Sequence, residues 1–522
     1  MRMDLAINKT LRNELLILII CLLIGFALRF YTFDQKSLWL DEIYTFNDSR
    51  YGIKDQLEFY KENPTFLHPP LFFILTHLFY PFTKPERDLR ILPLIFGTLS
   101  IPMFYFLSRS FSPHIALPCT LSLSLMTYHI YLSQDARSYS FLMFLGMAGL
   151  YFFLKHLKTS KKRYLVLVGF FFASLFYTSY SSLLFIALSQ ILWFYQATEK
   201  GYKKLYSFLI LNGLIFLLCV PWVLFIALNY NGQPLMDTYQ ARAPISLEDI
   251  LGGIFHDWMP HFPLIITSII LLILFPLFSK NKRNTLILLA VFVFPIIALY
   301  LFCKLSNVNH FITSRYFINF LPLFLILLYL SLTTIQGKFV KLKGMVHLSL
   351  LFFILFLVFN LTILPFYYKC EKQNLRGLVL SLRGQLRDGD KVFLGGEPLF
   401  TGVLHYFRIY PEGRHYALPV LRDLKKRVDS ITIPIFDNNR IFLVYNSKYY
   451  LARYVSDESR LWIAVGGKEP AKAIKKIYPA VLKGYFDGSF LNFNRFPTDA
   501  SLYLFLLDPQ SPGEKGIDIP IE

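Results

Sequence analysis

The chain has 522 residues, of which 55% are hydrophobic and only 17% are charged, and its mean hydropathy is +0.45. A soluble domain usually carries about a quarter charged residues, so this composition excludes an ordinary soluble protein. The net charge of +19 does not indicate nucleic acid binding, because the basic residues cluster in short loops between apolar stretches. That pattern is typical of a polytopic membrane protein with Lys and Arg on the cytoplasmic side.

The first apolar stretch, Leu15 to Phe33, is long enough to span a bilayer and predicts a retained helix rather than a signal peptide. The loop after it contains the motif Trp39-Leu-Asp-Glu-Ile-Tyr-Thr45. Its acids, Asp41 and Glu42, lie among aromatic and apolar residues, including Tyr44, that favour the membrane interface. An acidic pair on a solvated loop is common, but these neighbours indicate chemistry at the membrane surface.

A second motif in the same loop, His68-Pro-Pro-Leu71, begins an apolar run that ends at Phe82. This run has about 15 residues, which is short for a membrane span. We expect an interfacial helix that does not cross the membrane. Its N-terminus favours anions, so His68 is a candidate contact for a phosphate group.

The remaining apolar stretches predict ten further spans, which gives about eleven in all. They are residues 90–109, 115–133, 138–154, 164–180, 182–197, 205–228, 262–279, 284–303, 313–333 and 345–365. The basic clusters near the N-terminus and around residues 155–163, 200–204, 280–283 and 338–343 should all be cytoplasmic. An even number of spans must then separate successive clusters, which places the loop 34–89, the turn 134–137 and residues after 366 outside.

Two short polar segments lie at predicted outer ends of spans. Gln134-Asp-Ala-Arg137 places Asp135 on the same side as Asp41, and Thr313-Ser-Arg-Tyr316 supplies Arg315 and Tyr316. Arg137 and Arg315 are candidates for binding a lipid phosphate, because a guanidinium group forms forked, charge-assisted hydrogen bonds. Alternatively, each Arg only extends to the membrane surface from a polar turn.

The chain after residue 366 has mixed charge and predicts a soluble α/β domain of about 150 residues. Its expected helices are 374–387 and 398–410, and its expected strands are 391–394, 440–445 and 501–507. We therefore divide the chain into a transmembrane domain, 1–366, and an extracytoplasmic domain, 367–522. The five cysteines and the histidines His256, His261 and His310 form no metal-binding pattern, so no cofactor or metal is firmly implied.

These motifs together resemble the GT-C superfamily of membrane glycosyltransferases. The nearest group is family 39, which includes protein O-mannosyltransferases, lipid A aminoarabinose transferases and galacturonosyltransferase-like proteins. The matching segments are WLDEIYT at 39–45, HPPL at 68–71, RILPLIFGTLSIPMFYFLSR at 90–109, SQDARSYS at 133–140 and TSRYFINFLP at 313–322. The resemblance implies a GT-C transmembrane catalytic domain that transfers a sugar from a polyprenyl-phosphate carrier on the outer side of the cell (inner or plasma) membrane.

By the same resemblance, Asp41 is the catalytic base of an inverting transfer and Asp135 is a second catalytic acid. Glu42, Tyr44, His68, Arg137, Arg315 and Tyr316 are the expected substrate-binding residues. The donor is a lipid-phosphate sugar, the acceptor is a lipid, a glycan or a protein, and divalent metal dependence is open. His68 departs from the Lys that aminoarabinose transferases have there. The alternatives are a membrane transporter, a glycan polymerase or ligase with lipid-linked substrates, and a non-catalytic scaffold.

Overall fold

A computed structural model describes residues 2–62, 68–195, 201–229, 246–305, 314–339, 348–408, 430–434, 442–446, 451–453, 455, 460–489, 499–510 and 516–517. Most of them are helical. The helices are α1 (Arg2–Phe30), α2 (Leu40–Ser49), α3 (Ile53–Glu62), α4 (Leu71–His77), α5 (Pro85–Asp88), α6 (Ile91–Phe111), α7 (Pro113–Leu125), α8 (Thr127–Ser133), α9 (Tyr139–Thr159), α10 (Lys162–Phe176), α11 (Ser182–Ser189), α12 (Gly201–Asn229), α13 (Leu247–Trp258), α14 (Phe262–Phe278), α15 (Lys282–Leu305), α16 (Leu321–Phe339), α17 (Leu348–Lys369), α18 (Leu375–Arg383), α19 (Glu397–Phe407) and α20 (Lys468–Ile477). Among the described residues, seven helices are long and apolar enough to cross a membrane, or nine if two bent helix pairs each count as one span.

The helices differ in how much of their surface the protein covers. Two central spans, Tyr139–Thr159 and Ser314–Lys338, are each 78% buried, whereas Lys203–Asn229 is only 17% buried. Exposed Leu, Ile and Phe side chains cover the outer helices, such as Leu217 on α12. A helix that is apolar all round fits a lipid environment, so the outer helices face the bilayer. The two largely buried spans form the core of the helical bundle.

The predicted span 115–133 is divided at Met126 into α7 and α8, which meet at 60°. The guanidinium group of Arg29 donates hydrogen bonds to the Ser124 and Leu123 carbonyls at 2.9 and 3.0 Å, which lie at the end of α7. Asn360 Oδ1 accepts the Thr127 backbone N–H at 2.9 Å at the start of α8. Backbone groups freed by a break inside a membrane protein need such partners.

The helices α10 and α11 run out from one end of the bundle and return to it. The 3-10 turn after α11, Gln190–Phe194, places the Trp193 ring 5.0 Å from Phe153 and 5.7 Å from His156, near the end of α9. The other end of α10 lies beside the Pro-Pro motif, where the Leu71 N–H bonds to the Tyr177 carbonyl at 2.9 Å. Neither α10 nor α11 with its 3-10 turn is as long as the candidate spans, so these two crossings and the count of eleven stay predictions.

The run after His68 forms only the seven-residue helix α4, Leu71–His77. A helix of this length spans roughly 10 Å, about a third of the hydrocarbon thickness, so it is too short to cross. It begins directly after Pro70.

The chain after α17 forms a mixed six-stranded sheet. Its strands are β1 (Lys391–Gly395), β2 (Ser430–Pro434), β3 (Phe442–Asn446), β4 (Leu461–Gly466), β5 (Val481–Phe486) and β6 (Leu502–Leu507). Their order is β2-β3-β1-β4-β6-β5, with β1 parallel to both β3 and β4 and the other pairs antiparallel. The sequence did not predict β2, β4 or β5. The strand β4 is buried along nearly its entire length inside the sheet and shows no alternation of apolar and polar residues.

This sheet and its helices share a hydrophobic cluster with the loop that contains the acidic motif. Ile43 and Phe46 of α2 and Ala136 of the 134–137 turn are buried together with Leu375 and Val403 from α18 and α19. The C-terminal part therefore packs directly over the first loop. The division between residues 366 and 367 stays a prediction.

Candidate active site

The acidic motif forms the first turn of α2, which Glu42 stabilises. Glu42 is fully buried, and its Oε1 accepts hydrogen bonds from Arg90 Nε and the Ala136 backbone N–H, both at 2.8 Å. Its Oε2 is 2.6 Å from Arg90 and accepts the Trp39 N–H at 3.3 Å. Glu42 therefore joins α2 to α6 and to the 134–137 turn. Its predicted contact with substrate stays a prediction.

Asp41, the other acid of the motif, keeps an accessible carboxylate. Its side chain is 30% exposed, and Arg315 lies 4.0 Å from Oδ2. Among the described residues, the hydrogen bonds to Asp41 go to its backbone carbonyl, from Thr45 Oγ1 and Arg137, and none to its carboxylate. The Asp41 carboxylate is therefore partly accessible, with Arg315 as its charged neighbour.

Asp135 lies at the end of α8 and is fully buried. Its Oδ1 accepts a hydrogen bond from Trp39 Nε1 at 3.1 Å, and its Oδ2 is 3.1 Å from Lys372 Nζ. Burial alone would raise the pKa of Asp135, but Lys372, the Trp39 indole and Arg315 hold that pKa below its usual value. Asp135 is thus a fixed negative charge, with both oxygens engaged.

The predicted pair of arginines converges beside Asp41. Arg137 donates to the Asp41 carbonyl at 3.2 Å and to Thr45 Oγ1 at 3.3 Å. The guanidinium carbon of Arg315 lies over the rings of Trp39 and Tyr139, at 5.6 and 5.4 Å from their centroids. Arg315 thus faces the site rather than extending away from it, and two cations contact the same residue, Arg315 at the Asp41 carboxylate and Arg137 at the Asp41 backbone carbonyl.

The other expected substrate contacts lie nearby, but their roles stay predictions. His68 is exposed, and its ring packs edge-on against Phe73 at 6.2 Å. Tyr44 is half-buried on α2. Tyr316 follows Arg315 in the 3-10 turn Ser314–Phe320 and packs against the hydrophobic core of the helical bundle. Of the segment before Arg315, residues 306–313, including His310 and Thr313, lie outside the described part of the chain.

Three charged residues in this region were missed by the sequence reasoning. Lys372 lies in a mixed-charge segment after α17 that gives no pattern. Asp257, at the end of α13, accepts a hydrogen bond from Ser314 Oγ, the residue before Arg315. Asp48 lies seven residues after Asp41, close to the same face of α2, and helical spacing was the signal that could have found it. Burial raises the pKa of Asp48 to about 7, against the opposing effect of Arg137.

Among the described residues, no group of three or more His, Cys, Asp and Glu side chains is placed to bind a metal ion. The site instead contains charged side chains of both signs close together. Asp41 and Asp135 lie beside Arg315, Arg137 and Lys372. Such an arrangement can accept a proton and stabilise a phosphate within one site.

Comparisons with known proteins agree with this architecture. Residues 67–225 match the family described as dolichyl-phosphate-mannose-protein mannosyltransferase. The crystal structure of ArnT from Cupriavidus metallidurans in the apo state is similar over 97% of this chain and 100% of that chain, with a TM-score of 0.56 and 11% identity. The chain has the GT-C fold.

A second structure of ArnT from Cupriavidus metallidurans, bound to undecaprenyl phosphate, is also similar, with a TM-score of 0.52 and 11% identity. The similar region covers 94% of this chain and 97% of the ArnT chain. No curated protein sequence matches this chain. The expected resemblance to the GT-C superfamily and its family 39 group is confirmed, and the shared fold agrees with a multi-pass membrane protein.

Proposed function

We propose that this protein is an inverting glycosyltransferase that moves a sugar from a polyprenyl-phosphate-linked donor to an acceptor. The main support is the state of the acids. Asp41 presents a carboxylate that accepts no hydrogen bond from the described residues, next to Arg315 at 4.0 Å. Glu42 and Asp135 are buried and have both oxygens engaged. Asp41 is therefore the base, and Asp135 completes the pair as a fixed charge.

The reaction is a single displacement at the anomeric carbon. The acceptor hydroxyl oxygen forms a bond to that carbon while the bond to the phosphate oxygen breaks, and Asp41 takes the hydroxyl proton. The leaving lipid phosphate retains the bonding electron pair and gains negative charge. Arg315 and Arg137 stabilise that charge. One displacement inverts the configuration of the sugar, which is a hexosyl or pentosyl group.

We place this site on the outer side of the cell (inner or plasma) membrane. Asp135 lies in the turn directly before α9, and α9 is a candidate span that ends at Thr159, next to the basic loop around Lys161. Basic loops favour the cytoplasm. The relative bound to undecaprenyl phosphate adds support for a lipid-phosphate donor. The acceptor is a lipid, a glycan or a protein.

The test uses purified protein, a panel of synthetic undecaprenyl-phosphate sugars (mannosyl, galacturonosyl and aminoarabinosyl) and envelope fractions from a deletion strain as acceptors. Asp41→Asn should lower transfer by roughly 10²–10⁴-fold, because general base catalysis is lost. Its melting temperature and its affinity for undecaprenyl phosphate should be retained. Asp55→Asn, an exposed acid on α3, is the matched control and should transfer normally. A fully active Asp41→Asn protein would remove Asp41 from the chemistry.

A further inference from the structure

The segment after α17 contacts the acidic site from the C-terminal side. We call residues 371–376 the strap. Glu371 accepts the Ser37 backbone N–H at 2.9 Å, and Gln373 accepts the Leu40 backbone N–H at 3.1 Å. The strap therefore binds the backbone on both sides of Trp39, directly before Asp41.

Between these two contacts, the strap inserts Lys372 into the site. The Lys372 side chain is only 7% exposed, and Nζ is 3.1 Å from Asp135 Oδ2. The same ammonium group lies 4.2 Å from the ring centroid of Tyr131 and 5.0 Å from that of Trp39. Aromatic faces attract a cation, which fixes its position further.

Asp135 transmits this contact to the helix that carries Asp41. While Lys372 pairs with one oxygen, the other accepts the Trp39 indole N–H at 3.1 Å. Trp39 immediately precedes α2, and Asp41 lies two residues further on. The chain of contacts Lys372–Asp135–Trp39 thus ends at the helix turn that presents the base.

We propose that Lys372 is a positioning residue for transfer, which holds Asp135 as a charged acceptor for the Trp39 indole and so fixes the start of α2. This rests on the proposed function. Lys372 acts through Asp135 and not on the lipid phosphate, because its ammonium group is buried against Asp135 and two rings. The C-terminal part is then an element of the active site and not an appended domain.

Removing the ammonium group should change the proton occupancy of Asp135. Burial, which Lys372 now opposes, would then dominate and raise the pKa of Asp135. The other charged and titratable groups that act on Asp135 or respond to it are Arg315, Arg137, Tyr131 and Tyr367. At low pH Asp135 would be neutral, its hold on Trp39 would weaken, and activity would fall.

The experiment compares Lys372→Met, Lys372→Arg and the control Lys369→Met in full-length protein. Lys369 is exposed at the end of α17, three residues away. The readouts are kcat and KM with the active undecaprenyl-phosphate sugar, the pH profile of kcat, and affinity for undecaprenyl phosphate. Lys372→Met should lower kcat about a hundredfold, the size expected for a misplaced catalytic group. It should leave undecaprenyl phosphate affinity unchanged, and kcat should recover toward high pH. Lys372→Arg should restore most of kcat, and Lys369→Met should match wild type.

Two results would overturn the proposal. One is wild-type kcat and pH profile in Lys372→Met. The other is a loss of undecaprenyl phosphate affinity as large as the loss of kcat, which would make Lys372 a direct phosphate ligand. If Lys372→Met does not fold, Lys372→Met combined with Asp135→Asn removes both charges and is measured in its place. That pair should melt near wild type, with low kcat at every pH, and wild-type kcat would contradict the proposal. Wild-type protein that transfers no sugar defeats the proposed function itself, which separates the two failures.

Discussion

Arg315 and Arg137 come from segments far apart in the chain and lie beside the same acid. Arg315 is 4.0 Å from the Asp41 carboxylate, and Arg137 bonds to the Asp41 carbonyl. Because the product of the proposed reaction carries more negative charge than the donor, a cation here should favour the product more. Losing Arg315 should therefore weaken binding of the lipid-phosphate product more than binding of the donor.

Arg315→Ala should weaken the affinity for undecaprenyl phosphate about ten- to a hundredfold, since hydrogen bonds to charged groups contribute about 1.5–3 kcal/mol. Arg315→Lys should recover only part of this, because Lys keeps the charge but loses the forked geometry. Isothermal titration with undecaprenyl phosphate measures the affinity, and the melting temperature of each variant serves as the control.

A structural role for Arg315 would give a different pattern. The melting temperature of Arg315→Ala would fall while affinity stayed constant, and Lys would serve as well as Arg. The phosphate would then belong elsewhere, and Arg137 would be the next residue to substitute.

Asp48 predicts a pH dependence of stability. Its folded pKa of about 7 lies above the ordinary 3.8, so the folded protein binds a proton there that the unfolded chain releases. The free energy of unfolding should therefore fall as pH rises from about 4 to about 7. Asp48→Asn should flatten this slope and raise the melting temperature at pH 8. The exposed Asp55→Asn should leave the slope intact, and an unchanged slope in Asp48→Asn would assign it to another group.

The helix α2 depends on a buried ion pair more than on its own sequence. Arg90 uses two nitrogens on Glu42 and also donates to the carbonyls of Phe33, Lys36 and Ser37. One guanidinium group therefore fixes both the loop before α2 and its first turn.

Breaking this pair should be costly. Arg90→Gln should lower the free energy of unfolding by about 3–5 kcal/mol, because it leaves the buried Glu42 charge uncompensated. Arg87→Gln, which breaks an ion pair in which Arg87 itself is 42% exposed, should cost at most about 1 kcal/mol, since Asp88 keeps the Lys84 backbone N–H at 2.9 Å. Denaturant unfolding in detergent micelles measures both. Equal losses for the two variants would show that burial does not set the strength of the pair.

The arrangement of the entire chain predicts which positions share a side of the membrane. Thr83, in the first loop, and Gly396, in the C-terminal sheet region, should both be outside, whereas Ser160, in a basic loop, should be cytoplasmic. Cysteines placed at these positions, with Cys370 replaced by Ser, should react with an impermeant maleimide in intact spheroplasts at Thr83 and Gly396 only. Labelling of Ser160→Cys together with the other two, or of Thr83→Cys and Gly396→Cys from opposite sides, would contradict the topology.

Much of this architecture follows from local patterns in the sequence. Apolar stretches identify spans because a helix that crosses the lipid bilayer needs about 20 apolar residues. The short run after His68 is predicted not to cross, and the seven-residue length of α4 agrees with this. The acidic motif, the 134–137 turn and Arg315 were selected as site residues, and the structure places Asp41, Asp135, Arg137 and Arg315 within one region. The family resemblance of these short motifs supplied the fold.

Other features depend on partners far away in the chain, and no local pattern predicts them. Neither Gly nor Pro marks the break at Met126, which is stabilised by Arg29 and Asn360 from α1 and α17. The adjacent acids Asp41 and Glu42 look alike in the sequence. In the structure, Glu42 is buried in an ion pair with Arg90, whereas Asp41 stays accessible. Lys372 reaches Asp135 across more than two hundred residues of chain. Burial and long-range pairing set the charge and access of each carboxylate, and only the folded chain determines them.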